Sequence, residues 1–379
     1  MDNNATTKLE PKVLEGMMPY LTNLYANAAS RHIFGLDIND AVKIARSNVA
    51  DLINSENNEI IFTSGSTEAI NLAIKGIAET YNQKGKHIIT VTTEHSAVID
   101  TYKYLEQTGF DVTFLPVQSD GLVDLEVLKN IIRKDTILVS IMFANNETGV
   151  LQPIKEIAEI SHSSGAFFMT DATQAFGKIT INVRELGVDL MTFSGHKIYG
   201  PKGIGGLYIR SRGKNKPKLN AQTHGGGHER NFRSGTLNVP GIVGLGIASE
   251  IAKQEMKNDS TRIKLLRDYL ENELLKIEDS FLNGNKENRL YNTSNICFRG
   301  ANSEVIIMGL KNIIVSNGSA CTSTSIYPSH VLTAMGLSEK EAFSSIRFSL
   351  GKFNTKKEID QAIKKVQEVV SNLREMSKV

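Results

Sequence analysis

Thr136-Ile137-Leu138-Val139-Ser140-Ile141-Met142-Phe143 is an almost wholly apolar run, and two more follow it, Ala166-Phe167-Phe168-Met169 and Leu190-Met191-Thr192-Phe193. Short runs rich in β-branched and aromatic residues read as strands buried on both faces. Between the first two, residues 154–161 repeat their apolar positions at helical spacing. Strand-helix-strand alternation implies a mostly parallel sheet with helices on both faces. The same alternation extends outward to strands at 59–63, 87–92 and 112–116 before this centre and 205–209 after it, with a helix at 67–79. Beyond it, 217–244 is glycine-rich and irregular. A helical pattern then runs over 242–277 with an expected break at 258–260, and short strands are expected at 294–298 and 313–316. A last helix over 356–376 aligns Ile359, Ile363, Val366, Val370 and Leu373. The expected architecture is α/β: a large domain over 12–250 with a seven-stranded, mostly parallel sheet, and a smaller α+β domain from 1–11 and 251–379.

With 379 residues the chain has length for two domains, and 40% hydrophobic content supports a large core. Forty-three basic against 41 acidic side chains give a net charge of +2, so nothing calls for a nucleic acid or membrane surface. No apolar stretch approaches the roughly 20 residues of a membrane span, and the N-terminus lacks the basic flank and apolar run of a secretion signal. Two cysteines, Cys297 and Cys321, build no disulfide framework, which fits a reducing cytoplasm.

In open parallel sheets ligands bind beyond the carboxyl ends of the strands, so the residues found there are the candidate site. Ser64-Gly65-Ser66-Thr67-Glu68 leads into a helix and suits a phosphate, although taken alone it is better explained by Ser66 or Thr67 acting as a plain helix cap. His95 follows the second strand and reads as a base, a stacking surface or a surface residue. Asn145-Asn146 reads first as a turn and second as ligand amides. Asp171 ends a buried strand and needs a cationic partner, from the protein or from a ligand. Lys197, after Ser194-Gly195-His196, is either a reactive amine in a crowded turn or a side chain reaching solvent. Each is ambiguous alone. Together they supply a phosphate cradle, a stacking ring, an acid for a pyridinium nitrogen and an amine for an imine, the set that pyridoxal 5'-phosphate (PLP) requires. By contrast, Gly241–Gly246 fails as a dinucleotide loop because no strand precedes it.

Ser194-Gly195-His196-Lys197-Ile198-Tyr199-Gly200-Pro201-Lys202-Gly203 with Asp171-Ala172-Thr173-Gln174 resembles the class V aminotransferase family of fold-type I PLP-dependent transferases. Asp2-Asn3-Asn4-Ala5-Thr6-Thr7, Glu94-His95, Asn145-Asn146-Glu147, His224-Gly225-Gly226-Gly227-His228-Glu229-Arg230, Gly318-Ser319-Ala320-Cys321-Thr322-Ser323 and Ser345-Ile346-Arg347-Phe348-Ser349 narrow the resemblance to its cysteine desulfurases. The resemblance implies conversion of L-cysteine to L-alanine, with the sulfur carried as a persulfide on Cys321. Lys197 would hold PLP covalently, Asp171 would pair with its ring nitrogen, and His95 would stack on the ring and shuttle protons. Ser66, Thr67, Ser194 and His196 would hold its phosphate, and Gln174 and Asn146 would lie near the ring hydroxyl or the substrate. Arg347 would grip the substrate carboxylate, and Thr236 would reach the phosphate in the partner subunit of a homodimer. Sulfur-acceptor proteins are implied as partners, either a cluster scaffold or tRNA-thiolation enzymes; no metal is. The alternatives are a selenocysteine lyase, another class V transferase, or a non-catalytic sulfur-relay scaffold. The start at Met1 and Ala28, where many relatives have Pro, depart from the family pattern without touching the expected chemistry, and the tail ending at Val379, shorter than in some relatives, leaves the acceptor open. Cys297, in the apolar run Asn295-Ile296-Cys297-Phe298, reads as a buried structural thiol.

Overall fold

The computed structural model describes residues 1–318 and 327–376. Two helices, α1 (Pro11–Thr22) and α2 (Ile33–Leu52), precede the large sheet. Its elements follow as β1 (Ile60–Thr63), α3 (Ser66–Tyr81), β2 (His87–Val91), α4 (Ser96–Gln107), β3 (Asp111–Leu115), α5 (Leu125–Ile131) and β4 (Thr136–Ser140). Next come α6 (Ile154–Ser163), β5 (Phe167–Asp171), β6 (Leu190–Ser194) and β7 (Gly205–Ile209). The spatial order is β1-β7-β6-β5-β4-β2-β3, and β7 alone runs against its two neighbours. Six strands therefore deliver their carboxyl ends to one edge.

Consecutive strand residues divide between two cores, as the pleat requires. Ile89, Val139 and Phe168 pack with α2 and α6 on one face, whereas Ile88, Leu138 and Met169 pack with α3 and α4 on the other. The expected strand 136–143 stops at Ser140. The N–H of Met142 is taken by the carboxyl group of Glu94 at 2.6 Å, which ends the pairing toward β2, while Ile141 and Phe143 still donate to β5 carbonyls at 3.1 and 2.9 Å.

Helix α7 (Val239–Leu274) runs 36 residues without the expected break. Asn258, Asp259 and Ser260 are mediocre helix formers, but each costs only about 0.5 kcal/mol, and neither Gly nor Pro interrupts the turn. An Asp259–Arg262 pair at 3.5 Å spans the stretch. The glycines of its first turns serve packing: a Cβ on Gly246 would lie 2.5 Å from the Cα of Ala45 on α2.

The remainder comprises β8 (Ser280–Leu282), β9 (Thr293–Phe298), α8 (Ser303–Leu310), α9 (His330–Ala334), α10 (Glu339–Ala342), β10 (Ser345–Ser349) and α11 (Lys356–Met376). Strands β10, β9 and β8 form an antiparallel sheet in that order, and Asp2 bridges to Ser349 at its edge. The expected strand at 313–316 is reduced to a single bridge, Ser316 with Arg347. The N-terminal segment thus brings Asn4 and Ala5 between the two sheets, directly over the carboxyl edge of the large one. Among the described residues, no helix is long and apolar enough to cross a membrane.

Candidate active site

A cavity of about 290 Å³ opens at this edge, lined by Ser66, Thr67, His95, Asn146, Asp171, Gln174, His196, Lys197 and Arg347. Nine of the twelve residues singled out from the sequence therefore meet in one place. Ser194 ends β6 beside them, its hydroxyl 4.0 Å from where a Cβ on Gly65 would stand. Thr236 does not join them. It is exposed and lines a separate cavity with Thr63, Ser64 and Arg233. Cys321 lies outside the described residues.

The capping explanation for Ser66 and Thr67 fails. The N-cap of α3 is Gly65, with φ 156° and ψ 179°, and no side chain caps the helix. That backbone region is essentially reserved for glycine. Gly205 lets the turn lie close against β7, since a Cβ there would sit 2.7 Å from the Cα of Gly65. The first N–H groups of α3 consequently face the cavity with the positive end of the helix dipole behind them.

Asp171 ends β5 and is buried. One of its oxygens, Oδ1, accepts three hydrogen bonds: from the Thr173 N–H at 2.9 Å, the Thr173 hydroxyl at 2.5 Å and the Thr192 hydroxyl at 3.0 Å. Oδ2 takes none of these, so the carboxylate is rigidly held with one oxygen left for a donor in the cavity. Opposite, His95 begins α4 and its Nδ1 accepts the N–H of Ala97 at 3.1 Å. A neutral ring in that arrangement carries its proton on Nε2.

Lys197 does not run out to solvent. Its ammonium donates to the carbonyls of Asn4 at 2.6 Å and Ala5 at 2.8 Å, which hold it half-buried at the cavity floor. Burial, then the neighbouring Lys197 cation, pushes His196 down to about 4, so its imidazole is neutral at physiological pH. Its Nδ1 lies 3.1 Å from the Thr6 hydroxyl.

Arg347, in β10, reaches across from the small sheet. It donates to the Asn146 carbonyl at 3.0 Å and to the Asp2 carboxylate at 2.6 Å, while its buried Nε has no hydrogen-bond partner among the described residues. A buried guanidinium with donors to spare is a ready receptor for a carboxylate. Asn145 is the turn residue of the Asn pair, its Oδ1 accepting the N–H groups of Glu147 and Thr148, both at 2.9 Å. Asn146 is the one at the cavity.

Sequence reasoning missed several supporting groups. The Asn4 carbonyl contacts both Lys197 and Gln174, and Thr173 and Thr192 hold Asp171. Thr192 carries a visible signal, a lone hydroxyl in the apolar run 190–193. Backbone carbonyls carry none.

The class-V aminotransferase profile matches residues 1–362. A cysteine desulfurase IscS of Edwardsiella ictaluri is 53% identical over 380 residues, covering 100% of this chain and 94% of that protein. The IscS of Shewanella denitrificans is 50% identical over the same coverage. Among solved structures, a NifS-like protein superposes with a TM-score of 0.91 at 39% identity, covering 98% of each chain. SspA in complex with cysteine does so with a TM-score of 0.82 at 37% identity, covering 93% of this chain and 99% of that one. With the profile spanning nearly its whole length and full-length relatives above half identity, the chain belongs to the class-V aminotransferase family.

Proposed function

We propose that this protein is a PLP-dependent cysteine desulfurase that converts L-cysteine to L-alanine and passes the sulfur to Cys321 as a persulfide. The observation that carries the proposal is the meeting of Lys197, Asp171, His95 and Arg347 in one cavity. The donor set fits PLP: an uncapped helix N-terminus with Ser66, Thr67, Ser194 and neutral His196 for the phosphate, Asp171 Oδ2 for the ring nitrogen, and the Lys197 amine for the aldehyde. When bound, the cofactor supplies an electron sink for charge released at the substrate Cα.

The protein's own groups do the rest. Asp171, its Oδ1 held by three donors, presents Oδ2 to pair with a ring nitrogen. Lys197 Nζ, once relieved of its proton, is the base nearest the cavity floor and takes the proton from Cα. His95, with its Nδ1 engaged by Ala97 and its proton on Nε2, is set to donate that proton to a substrate-derived group and to take one back there. Arg347 fixes the carboxylate, and Asn146 lies beside it through the shared carbonyl contact. Arg347→Ala is expected to raise KM for L-cysteine by about 10–100-fold, the worth of a charged hydrogen-bonded pair. Steady-state kinetics check this, and an unchanged KM counts against the assignment.

We also infer a soluble cytoplasmic homodimer that delivers sulfur to a cluster scaffold or a tRNA-thiolation enzyme. The dimer is supported by apolar side chains left exposed over one stretch of sequence, including Leu21 at 56%, Tyr25 at 85%, Ile33 at 69% and Phe34 at 68%. Thr236, which does not line its own chain's cavity, would then serve the partner's. The deciding experiment is alanine and sulfide formation from L-cysteine with PLP and a thiol reductant, with and without candidate acceptors. Equimolar alanine and reductant-released sulfide are expected without an acceptor, with sulfur diverted to an acceptor that is used; transamination to a keto acid without sulfide would reject the reading in favour of a class-V transaminase.

A further inference from the structure

Lys178 follows β5 by seven residues and is buried. Its ammonium makes one hydrogen bond, to Gln174 Oε1 at 2.8 Å, and no ion pair involves it among the described residues. The nearby carboxylates are committed elsewhere. Glu10 and Glu255 both pair with Lys352, and Asp259 pairs with Arg262. Tyr199 and Tyr291, the other titratable groups around the cavity of about 30 Å³ that Lys178 lines, are held as neutral phenols by burial. On the site side, Lys178 faces Lys197, Arg347 and His196, which are cationic or neutral. A buried lysine among cations, without a carboxylate, is costly and calls for a reason.

Its one contact supplies the reason. A lysine can only donate, so Gln174 must turn Oε1 toward it. That leaves Gln174 Nε2 on the site side, where it donates to the Asn4 carbonyl at 2.9 Å, the same oxygen that receives Lys197 Nζ at 2.6 Å. We propose that Lys178 is a positioning residue of the active site: it fixes the Gln174 carboxamide with its donor toward the ligand, and its charge beneath Lys197 biases that amine toward the neutral, reactive form. Burial first, then Lys197 and Arg347, pushes Lys178 itself down to about 7, so its charge acts on Lys197 at and below neutral pH and fades above it, and the expected shift is read on the neutral and acid side. The repulsion acts on both partners.

The inference rests on the PLP reading above, and its test uses the holoenzyme without cysteine. The wild-type protein loaded with PLP is titrated from pH 6 to pH 10 while the visible absorbance of the Lys197-linked cofactor is followed, in parallel with Lys178→Met, Lys178→Gln and Lys178→Arg. Loss of the charge is expected to raise the midpoint by about one pH unit, as removal of a like charge at this range should. Lys178→Arg should restore it toward the wild-type value. Lys178→Gln, which keeps a polar group without charge, gives the same readout if Lys178→Met does not fold. Unmoved midpoints in the folded neutral variants overturn the inference even if their melting temperatures fall, since a merely structural lysine would change stability alone. A wild-type protein that shows no visible band overturns the PLP reading itself and this inference with it.

Discussion

Lys197→Ala is expected to abolish turnover and, with it, the borohydride-reducible linkage to PLP, while leaving the protein folded. Proton transfer by a positioned side chain is worth about 10²–10⁴-fold, and this variant also loses the covalent anchor, so the residual rate should fall to background. The structural cost is modest. The Asn4 and Ala5 carbonyls lose a donor, but the site is only half-buried and open to the cavity, so water can replace the ammonium. Electrostatics change in the opposite sense, because the cation that depresses Lys178 and His196 is gone. Both neighbours should then bind protons more tightly. Absorbance, borohydride trapping and mass spectrometry of the trapped peptide read the outcome. A variant that still forms the trapped adduct elsewhere, or turns over cysteine, removes Lys197 from its role.

How much of this was legible beforehand varies with the kind of interaction. Most of the seven strands were readable because each is a short run buried on both faces, the half-exposed edge strand β3 being the exception, and the candidate site followed from asking what stands at their carboxyl ends. Ser66, Thr67, Asp171, His95 and Lys197 were thereby singled out one by one, each with a bland explanation still open. The structure removes two of those explanations: α3 has no side-chain cap, and Lys197 turns inward to two carbonyls. Where the sequence misled, a tertiary contact overrode a local signal. Glu94 takes the N–H that would have extended β4, and α7 passes unbroken through a polar stretch that faces solvent for part of its course. The functions of Asn4 and Lys178 were hidden for a simpler reason. A backbone carbonyl has no sequence signature, and a lysine in an ordinary turn looks like a surface residue until its burial is seen.

The two cysteines should separate completely when substituted. Cys321→Ala is expected to bind PLP normally and to perturb its visible band on addition of L-cysteine, yet to release sulfide under a thiol reductant at no more than about one hundredth of the wild-type rate. Cys297→Ala should keep full activity. The reason for the contrast is chemical, since the thiolate is the nucleophile. Cys297 is buried in β9, its Sγ donates to the Glu341 carbonyl at 3.5 Å, and burial pushes the thiol up to about 11. Such a thiol is almost wholly protonated at neutral pH. The described chain on either side of 319–326 stands at the active site. Gly318 lines the same cavity as Lys197, and Ser329 donates to the buried Glu147 carboxylate at 2.5 Å, next to Asn146. The tether from Gly318 to position 321 is three residues, at most about 11 Å of extended chain. Position 321 thus follows by three residues a glycine that lines the cavity, and the missing thiol is expected to account for the lost step. Robust sulfide production by Cys321→Ala, or its loss in Cys297→Ala with the fold intact, would move the sulfur-carrying role away from Cys321.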